Sequence, residues 1–407
     1  MTASDDIRVR LGAEAVINLT GTLTTLGGIS ARPEAIAAAA EILGRGVDIV
    51  GLQAAASRAI AEVMETEAGF VSACSAAGIC MAIAGAMTGD RMAAIERLPD
   101  TTGMKNEVVV QVGHLVNYGH PIEQDVRLTG ARVVPFGAVN SATQSQLEGA
   151  IGPNTAAALY VVSHHCAPDG QLPIADFVRV CHARGVPVIV DLAAEYDIHS
   201  YLRAGADITI HSAHKFLGGA TAGVVAGRKE LVRAAFLQGY GIGRPMKVGK
   251  EGIAAAIVAL RAFAAGDRAA ERAALLVPLN HWRVALENVA GIATDLDPDP
   301  TGNPFDRLRI TVLPDAGFDA VDVVHALEVG TPPIRVRTHQ LSHGSFILDA
   351  RSLGAGELQP VTERLLAAIE QARRSRAEGR TDDVQAWKVK HAAALRNWPD
   401  LNAEVVQ

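Results

Sequence analysis

One lysine of the 407-residue sequence stands where an amine could bond covalently to an aldehyde. The stretch Asp207–Gly227 indicates an apolar strand, then Ser212-Ala213-His214-Lys215, a double glycine and a second apolar strand. Such a strand end presents Lys215 at the rim of a sheet, where partial burial favours the neutral amine. The neutral amine is the nucleophile in Schiff-base formation. The alternative, a surface lysine in a loop, is disfavoured by the flanking serine, histidine and glycines.

A carboxylate closes another apolar strand upstream of this lysine. Residues 187–191 read PVIVD, which places Asp191 at the carboxyl end of that strand. Pyridoxal 5′-phosphate (PLP) is an aldehyde cofactor that needs an anion beside its pyridine nitrogen, because the protonated ring is the effective electron sink. Asp191 suits that task, although an acid in this place can also cap a helix.

A third element could bind the phosphate group of such a cofactor. Cys74-Ser75-Ala76-Ala77-Gly78 opens a helix of small residues. Small side chains let backbone N–H groups reach a phosphate, and the helix dipole favours the anion. The Ser75 hydroxyl could contribute, and Ser212 is a second candidate. Alanine-rich helices often only pack tightly, so the specific signal is the order of phosphate turn, ring acid and lysine.

The elements that must position these residues alternate between helices and short aliphatic strands. The predicted strands are Glu107–Val112, Arg132–Phe136, Ala157–Val162, Pro187–Asp191, Asp207–His211 and Ala222–Ala226. The predicted helices among them are Ser57–Glu67, Ala76–Met87 and Ile174–Arg184. Strands that are apolar on both faces indicate a mostly parallel sheet covered on both sides. Ligands then bind beyond the carboxyl ends of the strands.

The rest of the chain suggests a second, smaller lobe. Val16–Arg32 should be extended chain and turns, and a helix should begin at Pro33 and end near Gly44. The further predicted elements are one helical stretch at Glu251–Glu287, strands near Arg307–Val312, Ile334–Thr338 and Ser345–Asp349, and a helix at Glu357–Ala377. Trp387 and Trp398 predict a docked tail, because exposed indoles are costly. We expect four parts: residues 1–40, 41–265, 266–380 and 381–407.

Composition narrows the classes of partner and compartment. The formal charge of −7 argues against a general nucleic-acid binder. Four cysteines without a CxxC pair predict buried free thiols in a reducing compartment. No signal-peptide core and no apolar run of about 18 residues occurs, so we expect no membrane segment and a cytoplasmic location.

Together these features resemble the fold-type-I, aspartate-aminotransferase-like PLP enzymes, and within them the branch of selenocysteine synthase and D-glucosaminate-6-phosphate ammonia-lyase. The stretches that carry the resemblance are Val16–Gly28, Ile95–Asp100, Lys105–Val112 with His114, Gly185–Asp191, Ser212–Gly219, Gly243–Glu251 and Gly330–Arg337. They span nearly the whole chain, and GRPMKVGKE at Gly243–Glu251 is the most specific. The resemblance implies an α/β large domain with a mostly parallel seven-stranded sheet, and a smaller α+β C-terminal domain.

The resemblance also implies roles for particular residues around PLP. Lys215 would form the Schiff base, and Asp191 would face the pyridine nitrogen. The remaining cofactor-binding candidates are Ser75, Ala76, Ala77, Ser212, His214 and Gly243. His114 would lie near the ring face as a catalytic residue, with a satisfied loop histidine as an equal alternative.

The resemblance also suggests substrate-binding residues, and two positions differ from the family's pattern. Thr24 and Arg337 are candidate substrate-binding residues, since a guanidinium suits a carboxylate, although a structural ion pair is the alternative for Arg337. The Gly243–Lys250 segment would shape the cofactor pocket, of this or a neighbouring subunit, with Arg244, Lys247 and Lys250 as anion contacts. Two residues depart from the pattern: His214 stands where lyases often have glycine, and Leu115 where arginine is frequent.

The predicted function is a PLP-dependent lyase that removes ammonia by α,β-elimination from a hydroxy-amino acid or amino-sugar acid. The Lys215 amine would take the α-proton, and Lys215 or His114 could protonate the leaving hydroxyl. The alternatives are an amino-acid racemase or epimerase, and a transferase acting on a tRNA-linked seryl group. We expect a small amino-acid-like substrate and a homodimer or higher homo-oligomer. No metal is expected, because the histidines lack the spacing of a metal site.

Overall fold

The computed structural model describes residues 6–379 and 384–399. The strands, in chain order, are β1 (Ile17–Leu19), β2 (Ala68–Ser72), β3 (Glu107–Gln111), β4 (Arg132–Phe136), β5 (Thr155–Val161), β6 (Val188–Asp191), β7 (Ile208–Ser212), β8 (Gly223–Gly227), β9 (Ile292–Pro298), β10 (Asp306–Val312), β11 (Ile334–Val336) and β12 (Ser345–Leu348). The helices are α1 (Ile7–Arg10), α2 (Pro33–Leu43), α3 (Ile49–Met64), α4 (Ser75–Thr88), α5 (Met92–Arg97), α6 (Ile122–Leu128), α7 (Gln144–Ala150), α8 (Ile174–Ala183), α9 (Ser200–Arg203), α10 (Lys229–Leu237), α11 (Lys250–Ala265), α12 (Arg268–Leu286), α13 (Ala320–Glu328), α14 (Leu358–Ala377) and α15 (Val384–Arg396). Among the described helices, none has the length and apolar character needed to cross a bilayer.

The chain divides into two compact units. The large unit comprises residues 27–266 with 300–303, and the small unit comprises residues 1–26, 267–299 and 304–407 so far as they are described. The segment predicted as a separate N-terminal part, residues 1–40, is therefore split between the two units. The reason is strand pairing, since β1 pairs in parallel with β11 of the small unit.

The large unit is built on a seven-stranded sheet. Its strand order is β2-β8-β7-β6-β5-β3-β4, and β8 runs antiparallel to both of its neighbours. The remaining pairs are parallel. The predicted mostly parallel seven-stranded sheet is thus confirmed. Strand β2 was not among the strands predicted from the sequence, because its first residues, Ala68 and Gly69, have weak β propensity.

Helices cover both faces of this sheet, which explains why its strands are apolar on both sides. Within β5, Ala157 and Leu159 pack in the same core cluster as Ile83 of α4. Ala158 points the other way and packs in a second cluster with Phe177 of α8. Alternate side chains of one strand therefore contribute to two hydrophobic layers, one on each face of the sheet.

Local capping sets two helix boundaries differently from the prediction. The helix predicted at residues 57–67 begins earlier, because the Asp48 carboxylate accepts from the backbone N–H groups of Val50 and Gly51. The single helix predicted over residues 251–287 is two helices, α11 and α12. The chain breaks at Gly266, and Asp267 caps α12 by accepting from the next turn's N–H groups.

The small unit packs helices on an antiparallel sheet of order β12-β10-β9. Its core includes the fully buried Trp282. The Trp387 indole packs partly against this core and donates to Glu328 Oε2 at 3.0 Å. Trp398 is 75% exposed, so the expectation of docking was wrong for this residue. Part of the predicted tail, residues 381–383 and 400–407, lies outside the described residues.

Candidate active site

The predicted catalytic residues of the large unit meet at one edge of its sheet. Asp191 ends β6, Ser212 ends β7, and His114 lies just beyond β3. These strands are parallel, so their carboxyl ends share the edge at which α/β proteins bind ligands. Lys215 follows β7 by three residues, which brings the predicted amine to the same edge.

The backbone around Lys215 is irregular and is held by a neighbouring segment. Residues 213–217 form a helical turn that is broken at Lys215 (φ −100°, ψ −122°) and ends at Gly218 in the left-handed region (φ 73°). Ile29 N donates to His214 O at 3.3 Å, and Arg32 N donates to Gly218 O at 2.8 Å. The Arg32 Nε–H adds a bond to the preceding carbonyl, Leu217 O, at 3.0 Å. This segment, residues 29–32, fixes the lysine turn and was not recognised in the sequence.

Asp191 is a buried carboxylate, 6% exposed, at the end of β6. Its Oδ1 accepts from Ala193 N at 3.0 Å. Burial raises the pKa of Asp191 to about 6, against the opposing effects of the Lys215 ammonium and the Ala193 N–H, while Asp125 raises it further. A carboxylate in this setting is stabilised by any cation brought next to it. A pyridinium N–H is such a cation.

The start of α4 offers the predicted anion site. Cys74 caps the helix, and its Sγ accepts from Ala77 N at 3.4 Å. The first-turn N–H groups of a helix have no intrahelical partners, so those of Ser75 and Ala76 are oriented toward a ligand position. Strand β8 approaches this turn closely, since a Cβ on Gly223 would lie 2.4 Å from Cys74 O.

An unsatisfied polar atom lies beside the lysine. Ser212 Oγ is 3.0 Å from His214 Nδ1. His214 Nε2 is buried and has no hydrogen-bond partner within the described part of the chain. Buried polar atoms are normally paired, so this nitrogen fits a ligand oxygen such as that of a phosphate. The lysine amine, the buried acid, the helix start and this imidazole together fit PLP.

His114 is buried, at 3% exposure, and is tied to the strand next to its own. Its Nδ1 accepts from Val161 N at 3.0 Å, and its ring meets the edge of Tyr160 at 4.5 Å between centroids. Burial lowers the pKa of His114 to about 4. A neutral imidazole with a backbone partner favours the packing interpretation of His114 over the acid–base one.

Within one chain, Gly243 lies far from the start of α4. The predicted cofactor contact of Gly243 therefore does not fit a site built by a single subunit. Its N–H donates to Gln238 O at 2.8 Å, and Gln238 Nε2 donates to Thr88 Oγ1 at 2.8 Å. Thr88 ends α4, and a helix of this length spans about 20 Å. Gly243 and Ser75 therefore lie at opposite ends of α4. Arg244 and Lys247 next to Gly243 are exposed.

Thr24 and Arg337 belong to the small unit. Thr24 is exposed in a short 3-10 turn. Arg337 is half-buried just after β11, and its backbone pairs with Ile347 in both directions at 3.0 Å. Burial lowers the pKa of Arg337, Asp349 opposes that effect, and two nearby guanidinium groups, Arg307 and Arg351, lower it further. Arg351 and Arg307 already pair with Asp349 and Asp297, so substrate binding by Arg337 stays a prediction.

The sequence analysis missed three polar residues at the same edge of the large sheet. They are Tyr118, His120 and Asp125, which follow β3 and enter α6. His120 Nε2 lies 2.9 Å from Asp125 Oδ1, and Tyr118 Oη donates to the other carboxylate oxygen. The signal was available: the polar segment Asn-Tyr-Gly-His-Pro follows the carboxyl end of a predicted parallel strand.

Comparison with known proteins places this geometry among related enzymes. The family described as SelA, L-seryl-tRNA selenium transferase, matches residues 16–296. The chain is 38% identical over 368 residues to D-glucosaminate-6-phosphate ammonia lyase of Salmonella typhimurium, covering 90% of this chain and 99% of that one. It is 33% identical over 358 residues to 5′-C-glycyluridine monooxygenase-decarboxylase of a Streptomyces species, covering 87% and 90%. A solved structure of D-glucosaminate-6-phosphate ammonia-lyase is 37% identical with a TM-score of 0.82, covering 91% of this chain and all of that one.

Proposed function

We propose that this chain, which belongs to the SelA family and is similar over nearly its full length to D-glucosaminate-6-phosphate ammonia-lyase, is a PLP-dependent ammonia-lyase. The fold-type-I prediction and the lyase prediction agree with these relatives. The racemase and seryl-tRNA transferase alternatives are not favoured by them. The observation that carries the proposal is the buried Asp191 beside the Lys215 turn, at the sheet edge where the start of α4 can hold an anion.

PLP held by Lys215 would supply an electron-withdrawing ring that stabilises negative charge at the substrate α-carbon. Asp191 would hold the proton of the ring nitrogen, because its buried carboxylate is stabilised by an adjacent cation. The start of α4 would bind the phosphate through the N–H groups of Ser75 and Ala76, with Ala77, whose N–H already donates to Cys74 Sγ, as part of the same turn. Ser212 and His214 would complete that contact. The Lys215 amine, once free, would accept the α-proton of the substrate.

The substrate class is a 2-amino-3-hydroxy acid, and specifically an amino-sugar acid. The similarity to the glucosaminate-6-phosphate enzyme supports this class. Arg337 binds the substrate carboxylate and Thr24 contacts a substrate hydroxyl. Because His214 and Leu115 differ from the pattern of the family near the lysine and near β3, the identity of the sugar acid is the part of the proposal that most needs testing.

The protein assembles as a homodimer or a higher homo-oligomer. Ile36, Leu43 and Val50 expose apolar side chains on α2 and α3, which a second copy would cover. Lys250 donates to Arg45 O in the connection between these helices, so the Gly243–Lys250 segment adjoins the same surface. This segment then contributes its cations to the site of the neighbouring subunit. The four cysteines are free thiols, which supports the cytoplasm as the location.

A substrate screen with a matched lysine variant tests the proposal. The wild-type protein, incubated with PLP and D-glucosaminate 6-phosphate, D-glucosaminate or either enantiomer of serine, should release ammonia and a 2-keto acid in equal amounts. Lys215→Ala should lose this activity by at least about 1,000-fold and form no borohydride-reducible adduct with PLP. Loss of optical rotation without ammonia would indicate a racemase, and release of carbon dioxide a decarboxylase. A full adduct yield in Lys215→Ala would overturn the assignment of the lysine.

A further inference from the structure

Tyr118, His120 and Asp125, here called the β3 cluster, form a closed hydrogen-bonded group. Asp125 is 1% exposed and accepts on one oxygen from Tyr118 Oη and on the other from His120 Nε2, which lies at 2.9 Å. Tyr118 Oη also lies 3.2 Å from His120 Nε2. A buried carboxylate is costly unless it is paired in this way, so Asp125 holds both rings in defined positions.

The β3 cluster lies at the edge of the sheet that carries the candidate active site. Residues 117–121 follow β3, whose carboxyl end is aligned with those of β5 and β6. From the other side, Cys80 Sγ donates to Asp125 O at 3.2 Å, and Cys80 is one turn beyond the start of α4. The cluster thus adjoins α4 near the proposed phosphate turn, at the sheet edge where β6 ends in Asp191.

The electrostatics of Tyr118 agree with this placement. Burial and the Asp125 carboxylate raise the pKa of Tyr118, and the charge of Asp191 raises it further. Burial weakens the screening of charges, so the Asp191 carboxylate is electrostatically coupled to the cluster.

The geometry leaves one ring nitrogen of His120 for a ligand. Nε2 faces Asp125 and Tyr118, and among the described residues no hydrogen bond to Nδ1 is formed. The side chain is 37% exposed, although Asp125 beneath it is buried. An Asp–His pair of this kind fixes the tautomer and directs the second nitrogen outward, which is the arrangement of a histidine that transfers protons.

Building on the proposed function, we propose that His120 protonates the hydroxyl that leaves the substrate, with Asp125 and Tyr118 as positioning residues. Lys215 accepts the α-proton, and the electrons of the Cα–H bond form the Cα–Cβ double bond. The Cβ–O bond breaks, and the oxygen leaves as water with the Nδ1 proton of doubly protonated His120, whose Nε2–H stays bonded to Asp125. His120 regains a proton from solvent. The released enamine takes up one water and yields the 2-keto acid and ammonia.

Separation of proton exchange from elimination tests this role. With D-glucosaminate 6-phosphate in D₂O, NMR measures exchange of the substrate α-proton, and an ammonia assay measures elimination. His120→Asn should lower elimination about 100-fold or more while α-proton exchange continues, because Lys215 is intact. Asp125→Asn should cause a smaller loss of elimination with exchange retained, and Tyr118→Phe a smaller loss still, because it keeps the Asp125–His120 bond. His281→Asn, on the exposed face of α12, is the matched control and should change neither rate.

A second measurement does not depend on turnover. Peptide mass spectrometry can follow the carbethoxylation of His120 by diethyl pyrocarbonate in PLP-soaked Lys215→Ala protein. Substrate should protect His120 and leave the labelling of His281 unchanged. If His120→Asn is unstable, His120→Gln replaces it in the exchange assay, and the labelling test still applies.

The outcomes separate this proposal from the function on which it rests. Equal loss of exchange and elimination in both His120 variants, with no protection by substrate, would mean that the β3 cluster only supports Asp191 or the fold, and would overturn the proposal. Unchanged elimination would overturn it too. If the wild-type protein neither exchanges nor eliminates any of the screened amino acids, the proposed lyase function itself fails.

Discussion

At the scale of single residues, burial controls the chemistry of Asp191 most directly. The folded protein surrounds this carboxylate with apolar strand and neighbouring acid, so its pKa rises to about 6 from an ordinary 3.8. The proposed cofactor site therefore contains an acid whose charge stays costly in the absence of an adjacent pyridinium. Binding sites commonly contain a charged residue that destabilises the ligand-free protein and that the bound ligand stabilises.

This environment predicts how the stability of the cofactor-free protein depends on pH. Because the folded state binds the Asp191 proton more tightly than the unfolded chain, its free energy of unfolding should fall as pH rises from about 4 to about 6, by up to roughly 3 kcal/mol. Asp191→Asn removes that dependence and should be more stable than wild type at pH 8. Urea unfolding at pH 4 and pH 8 measures both effects, with Asp169→Asn on an exposed loop as the control. A cofactor-free Asp191→Asn protein less stable than wild type at pH 8 would contradict this account.

At the scale of elements, the small residues of α4 serve packing as well as the helix start. The helix is buried along almost its whole length and lies against α10. A Cβ on Gly85 would lie 2.6 Å from Ala235 N, which no rotation of a side chain can relieve. The small residues near the carboxyl end of α4 therefore serve tight packing, as one interpretation of the sequence held. The anion site is proposed at the amino end of the helix.

The close approach at Gly85 predicts the effect of one added methyl group. Gly85→Ala should lower the free energy of unfolding by roughly 1–3 kcal/mol, because the backbone of α10 must move. Gly149→Ala is the matched control in α7, where an added Cβ meets nothing within 4 Å. It should be neutral or stabilise by up to about 1 kcal/mol through helix propensity. Equal effects of the two substitutions in urea unfolding would show that the α4–α10 contact does not constrain position 85.

At the scale of the whole molecule, the proposed role of Gly243 in the cofactor site implies that more than one chain builds the site. The segment that contains Arg244 and Lys247 lies near the carboxyl end of α4, whereas the proposed phosphate turn lies at the amino end of that helix. A single subunit keeps these cations apart from Ser75. Closed dimers of identical chains bring such distant surfaces together by symmetry.

Subunit complementation tests the shared site. If Arg244 serves the site of the neighbouring subunit, Lys215→Ala and Arg244→Ala should each be inactive alone, and their refolded mixture should regain roughly one quarter of the wild-type activity, since half of the dimers carry one intact site. Ammonia release from D-glucosaminate 6-phosphate is the readout. The unmixed variants, refolded in the same way, are the control. A mixture no more active than its components would place Arg244 outside any shared site.

The sequence by itself determined the parts of this protein that depend on local chain chemistry. Apolar strands with a carboxylate or a lysine at their ends, an alanine-rich helix start and a mostly parallel sheet all follow from residue type and spacing, and the proposed roles of Lys215 and Asp191 rest on that pattern. Strand β2 escaped, because an Ala-Gly start carries little β signal and only pairing with β8 makes it a strand.

Only the tertiary structure decided which distant groups share an environment. Residues 29–32 fasten the lysine turn, His114 is tied to β5, and Gly243 is carried to the far end of α4. The β3 cluster is visible only through hydrogen bonds among residues that the sequence pattern does not single out. The physical reason is that burial, pKa and hydrogen-bond partners are properties of packed neighbours, and strand order brings those neighbours together from positions far apart in the chain.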